Sequence, residues 1–124
     1  MPKQVLIVDD ESDICNLISE CLNDLGLDVV TAQNGIDALN QAKQVKFDLI
    51  MLDIHLPDID GVVVYEKIRE MPNHTKTPII FLTALAQGTR PQLSSSSHAD
   101  YSIIPKPVSL EKIQRAVSDA LGKE

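Results

Sequence analysis

Short, unbroken apolar runs alternate with amphipathic stretches from one end of this chain to the other. Gln4 to Val8, Leu49 to Leu52 and Ile79 to Thr83 are dense in β-branched and aliphatic residues, and runs of this length, bounded by polar residues, predict strands buried on both faces. Between them, Ile14, Leu17, Ile18, Cys21, Leu22 and Leu25 recur at helical spacing, with Ser12 as the expected N-cap and Gly26 as the stop. A strand is expected near Asp28 to Ala32, a short helix after Asn34-Gly35, and a helix from Val62 to Arg69. Pro72 and Pro78 bracket a loop. Tyr101 to Ile104 reads as a fifth strand. Leu110, Ile113, Val117, Ala120 and Leu121 give a last amphipathic helix, capped by Ser109, with Gly122 beyond its end.

Two stretches resist simple reading. Val62 to Val64 suits a strand by propensity, but its place after Asp60-Gly61 and before Ile68 favours a helix start. Between the fourth and fifth strands, Gly88, Pro91 and the run Ser94 to Ser97 oppose a long stable helix; a short or mobile helix that orders on activation or partner binding is the expectation. Strand and helix alternating five times predict an α/β fold: a parallel sheet with right-handed helical crossovers covering both faces. No repeat or linker divides residues 1–124, so one domain is expected.

Charge and cysteine content narrow the function. Acidic residues number 18 against 11 basic, a net charge of −7 with no Lys/Arg cluster, which opposes direct binding to nucleic acid. Cys15 and Cys21 stand six residues apart on one helix, hence on different faces, and read as reduced thiols. No apolar run approaches the roughly 18 residues of a membrane span, and no signal peptide precedes the first strand. A cytoplasmic location away from the membrane is expected.

The chemistry lies at the strand ends. Asp9-Asp10 follow the first strand, Asp53 the third, Thr83 closes the fourth and Lys106 follows the fifth. In an open parallel sheet, ligands bind beyond the carboxyl ends of the strands, where residues distant in sequence converge. Asp9, Asp10 and Asp53 would form an oxygen-rich pocket suited to Mg²⁺. Asp53 could then act as a nucleophile toward a phosphoryl group, with Thr83 and Lys106 binding phosphoryl oxygens. Taken singly, each residue has an ordinary explanation as helix cap, turn former, strand end or surface charge; four strands ending in matching chemistry favour the site.

The segments VLIVDDE (Val5 to Glu11), Asn34-Gly35-Ile36-Asp37-Ala38-Leu39, DLIMLDIHLPDIDG (Asp48 to Gly61), PIIFLTA (Pro78 to Ala84) and Pro105-Lys106-Pro107 resemble a CheY-like response regulator receiver domain of two-component signalling. The resemblance spans nearly the whole chain. It implies a flavodoxin-like, doubly wound sheet of order 2-1-3-4-5 with five helices. It also implies that Asp53 accepts phosphate from a phosphohistidine on a sensor histidine kinase or phosphotransfer protein and later loses it to water. Asp10, Asp53 and the backbone carbonyl of His55 would ligate Mg²⁺, with Asp9 acting through water. Thr83 and Lys106 would bind the phosphoryl group, Ala84 would leave access to it, and Lys106-Pro107 would be a cis peptide. A separate, unidentified output protein would read the change, and the chain would catalyse only its own phosphorylation and dephosphorylation. Alternatives from other classes are a receiver-like binding module without phosphorylation and a Mg-dependent aspartyl-phosphate phosphatase. The latter usually carries a second acid where this chain has His55.

One departure concerns the switch. The family's aromatic residue three positions before the lysine is Ile103 here, and Tyr101 stands five before. Either a shifted strand brings Tyr101 into that role or the coupling to Thr83 is absent; absence is favoured, because a one-residue shift turns every side chain to the other face. His55, His74 and His98 lack zinc-site spacing and are expected to be exposed. His55 follows the acceptor by two positions and is either a modulator of dephosphorylation or a bystander.

Overall fold

The computed structural model describes residues 2–83, 101–106 and 108–122. The strands are β1 (Gln4–Val8), β2 (Asp28–Ala32), β3 (Leu49–Asp53), β4 (Ile79–Thr83) and β5 (Tyr101–Pro105), and the helices α1 (Ser12–Asp24), α2 (Gly35–Gln44), α3 (Gly61–Arg69) and α4 (Leu110–Leu121). All pairings are parallel, in the order β2-β1-β3-β4-β5. The helix expected between β4 and β5, with Ala84 and the serine run, lies outside the described residues, as does Pro107.

The continuous apolar runs have a direct explanation. Successive side chains of each strand enter two different cores. Leu6, Val8, Ile50, Leu52, Ile79 and Phe81 pack with α2 and α3 residues such as Ala38, Val64 and Ile68. Their neighbours Val5, Ile7, Leu49, Met51, Ile80 and Leu82 pack with Ile18, Leu22, Ile113 and Val117 of α1 and α4. Both faces of the sheet are therefore covered, and no polar alternation survives in β1, β3 or β4.

Helix ends mostly follow the expected chemistry. Gly26, at φ +84°, ends α1: its N–H donates to the Asn23 carbonyl at 2.9 Å and the Leu27 N–H to that of Leu22 at 3.1 Å, a paired closure requiring a left-handed residue between. Ser109 caps α4, accepting from Lys112 N at 3.1 Å. Ser12 is not the cap of α1; Glu11 holds that position and makes no side-chain capping bond, its carboxylate being engaged elsewhere. Cys15 and Cys21 are free and buried, both within the broad core beneath α1 and α4. Burial and then the negative charge of Asp9 push the Cys15 thiol up to about 11. Among the described residues no helix is long and apolar enough to cross a membrane.

One further expectation, the exposure of His74, changes, while the register of β5 agrees with the favoured reading of Tyr101. His74 is fully buried: its Nε2 lies 3.1 Å from each of the carbonyls of Ala42 and Val45 and its Nδ1 2.8 Å from the Thr77 hydroxyl. It pins the end of α2 to the turn before β4. The β4/β5 register pairs Thr83 with Pro105 and Ile79 with Tyr101, placing Tyr101 four residues, about 13 Å, down the strand from Thr83. No shifted strand brings its backbone toward the site, and Ile103 packs on the α2/α3 core.

Candidate functional site

The carboxyl ends of β1, β3, β4 and β5 meet in one crevice. Asp9 follows β1, and its N–H continues the sheet ladder to the Ala32 carbonyl at 3.0 Å, so its side chain enters the protein and is fully buried. Its Oδ1 accepts from Glu11 N at 2.9 Å. Asp10, one residue on, is exposed. Asp53 ends β3 nearly buried, its Oδ1 accepting from His55 N at 3.3 Å. Thr83 is buried at the end of β4, and its carbonyl accepts from Lys106 N at 2.7 Å.

Lys106 draws these ends together. Its Nζ lies 2.9 Å from Glu11 Oε1, 3.0 Å from Asp9 Oδ2 and 3.4 Å from Asp53 Oδ2. The approach to Asp9 is not directional enough for a hydrogen bond, so that buried oxygen is held by charge alone. Burial works against the Lys106 ammonium, but its contacts with Glu11 and Asp9 and the charge of Asp53 outweigh it and raise its pKa above the ordinary lysine value. Burial, and then repulsion from Asp9, raise the Asp53 carboxyl above the usual range despite the pull of Lys106 and His55 N–H. Among the described residues, Asp10 brings to four the carboxylates gathered around this one ammonium.

That imbalance defines what the site accepts. One oxygen each of Asp9, Asp10 and Asp53 lies within 4.8 Å of the others, and Asp9 Oδ2 lacks a hydrogen-bond donor. Hard oxygen donors with uncompensated negative charge fit a small divalent cation such as Mg²⁺. The structure thus brings together Asp9, Asp10, Asp53 and Lys106, with Thr83 joined to Lys106 through the backbone. His55 sits on the loop after β3, its side chain exposed. His74 lies at the other end of the sheet, and His98 is outside the described residues.

Sequence reasoning missed the partnership of Glu11. It treated the residue only as part of VLIVDDE, whereas Glu11 gives up side-chain capping and reaches a lysine 95 residues away. A third acid directly after the Asp pair was the available signal.

Known proteins share this framework. Over 110 residues the chain is 36% identical to the signal transduction histidine-protein kinase BarA of Escherichia coli, covering 88% of this chain and 12% of BarA. It is 32% identical across 124 residues to the probable transcriptional regulator ycf29 of Porphyra purpurea, covering 100% of this chain and 59% of that protein. The chain therefore spans less than two thirds of either relative. Among solved structures, the receiver domain of the sensor histidine kinase PA1611 from Pseudomonas aeruginosa, crystallised with a magnesium ion coordinated in its active-site cleft, superposes with a TM-score of 0.85 at 31% identity, covering 99% of this chain and 100% of that one. The family description "Response regulator receiver domain" matches residues 5–118. Sheet order, strand-end carboxylates and lysine agree with that match: the chain belongs to the response regulator receiver domain family.

Proposed function

We propose that this chain is a phosphorylation-controlled switch of a two-component pathway, in which Asp53 accepts a phosphoryl group from a phosphohistidine of a sensor kinase or phosphotransfer protein. The observation that carries this reading is the Asp53 carboxylate itself, nearly buried, 3.4 Å from Lys106 Nζ and within reach of two further carboxylates. An Asp53 oxygen attacks phosphorus, the P–N bond to the imidazole breaks, and the imidazole leaves with the electron pair. Lys106 offers its ammonium and Thr83 its hydroxyl to the phosphoryl oxygens. Asp10, Asp53 and the His55 carbonyl would hold Mg²⁺, with Asp9 acting through water; when bound, the ion supplies positive charge that relieves the carboxylates and the transferring phosphoryl oxygens. Water later cleaves the acyl phosphate, so catalysis is confined to the chain's own modification.

The magnesium-bound PA1611 receiver supports Mg²⁺ in this role, and similarity to BarA supports a sensor-kinase partner. The output is a separate protein surface that reads the change at Thr83. Incubation with acetyl phosphate and Mg²⁺, followed by intact-protein mass spectrometry, tests the assignment. Wild type is expected to gain the mass of one phosphoryl group and Asp53→Asn none; equal labelling of both would place the acceptor elsewhere.

A further inference from the structure

We propose that Asp58 is a positioning residue for the phosphoacceptor: from the tip of the loop joining β3 to α3 it docks on the N-terminus of α2 and so keeps the His55 N–H on Asp53. The inference rests on Asp53 being the acceptor, and it assigns a role to a residue outside the crevice.

A helix begins with N–H groups that have no partner within it. In α2, Asn34 takes one of them, its side-chain oxygen accepting from Asp37 N at 2.8 Å. Asp58, more than twenty residues later in the chain, takes two others: Oδ1 accepts from Gly35 N at 2.7 Å and Oδ2 from Ile36 N at 2.9 Å. Its Oδ1 also accepts from Ile59 N at 2.8 Å. Partial desolvation works against the charge of this exposed side chain, but these three N–H groups together with its own backbone N–H hold the Asp58 carboxyl below the usual range, and the positive end of the helix dipole favours the same ionised form. Gly35 makes the approach possible, since a β-carbon there would stand 2.9 Å from Val64 Cγ2 and 3.3 Å from Asp58 Oδ1.

The rest of the loop is braced close to Asp53. Ile54 N donates to the Leu82 carbonyl at 3.2 Å and Gly61 N to the Ile54 carbonyl at 2.7 Å, while a β-carbon on Gly61 would collide with the Asp53 carbonyl. Leu56 and Ile59 add partly buried apolar contact. These braces fix the two ends of the loop, and Asp58 fixes its tip. His55, whose N–H donates to Asp53 Oδ1, lies between one brace and the clasp. Groups that orient a ligating carboxylate govern how tightly it holds a cation, and their removal typically costs about tenfold in affinity.

The test compares Asp58→Ala, Asp58→Asn and Asn34→Ala in the full chain, with Mg²⁺ affinity read by direct calorimetric titration and acetyl phosphate labelling read at saturating Mg²⁺. Asp58→Ala is expected to weaken Mg²⁺ about tenfold while leaving most of the labelling rate at saturation. Asp58→Asn, whose amide oxygen can still accept from Gly35 N but whose NH2 cannot replace the oxygen that accepts from Ile36 N, loses less affinity than Asp58→Ala. Asn34→Ala loosens the same helix end without touching the loop and leaves affinity unchanged. Unaltered affinity in Asp58→Ala, or an equal loss in Asn34→Ala, overturns the proposal. Failure of the acceptor assignment would show separately, as absent labelling of wild type with the Mg²⁺ titration still readable.

Discussion

Two groups of buried polar side chains occupy opposite ends of the same sheet, and they are built on opposite terms. At the end where β4 begins, His74 and Thr77 are buried with their hydrogen bonds made: the two carbonyl acceptors at Nε2 place the ring proton there, leaving Nδ1 to accept from the Thr77 hydroxyl. At the end where the strands finish, Asp9 and Asp53 are just as buried, yet Asp9 Oδ2 has no hydrogen bond and the Asp53 carboxyl is pushed toward its neutral form. A saturated polar cluster ties elements together. A cluster left short of positive charge, by contrast, is poised to take up a cation or an electrophile, at a cost in stability.

The largest effect that would sharpen this contrast comes from the satisfied end. His74→Ala removes the ring's bonds to the Val45 carbonyl and the Thr77 hydroxyl, leaves the Ala42 carbonyl with only the long 3.5 Å bond from Asn73 Nδ2, and opens space beside Phe47, whose ring stacks with His74 at 6.2 Å; the expected loss is about 3 kcal/mol, read as a melting temperature lower by roughly 10 °C. At the other end, removing charge should help the apo fold. In metal-free buffer Asp53→Asn is expected to melt above wild type, because burial and then Asp9 disfavour the ionised carboxylate. Mg²⁺ at a hundred times its Kd should reverse the order by stabilising wild type by about 2.7 kcal/mol, with little gain in the variant. If Asp53→Asn melts lower without metal, the site is not electrostatically strained.

The smallest effect is in pH. Burial, more than any other influence, lowers the pKa of His74 from 6.5, so the unfolded chain takes up its proton first as pH falls. The stability associated with neutral His74 is complete above about pH 6.5 and is lost below it. Asp53 works the other way, since its raised pKa relieves strain on protonation. Thermal melts from pH 7 to 5 are therefore best run in Asp53→Asn, where stability should fall with pH; adding His74→Gln should remove that component.

What the sequence disclosed and what it withheld follow from the range of each interaction. Asp9, Asp53, Thr83 and Lys106 were legible because each terminates an apolar run, a local signal whose meaning is set by the geometry of parallel sheets. Helix stops such as Gly26 and caps such as Ser109 are likewise local. His74, Glu11 and Asp58 escaped because their distant partners lie 22 to 95 residues away and nothing beside them in the chain announces the contact. Glu11 even displaces a local rule, holding the cap position ahead of Ser12 while its side chain serves Lys106.

The two-core sheet has a consequence for how the chain specifies itself. In β1, β3 and β4 the residues bound for either side are alike in being apolar, so hydrophobicity alone hardly distinguishes a strand from the same strand slid by one position. The ambiguity ends at the carboxyl termini, where Asp53 and Thr83 are the last strand residues and Asp9 and Lys106 follow directly. A slipped strand would carry a carboxylate or hydroxyl into hydrocarbon, or withdraw it from Lys106. The residues that make the crevice costly thus also serve as an index mark for the sheet, and part of the instruction for folding is written in the same letters as the instruction for signalling.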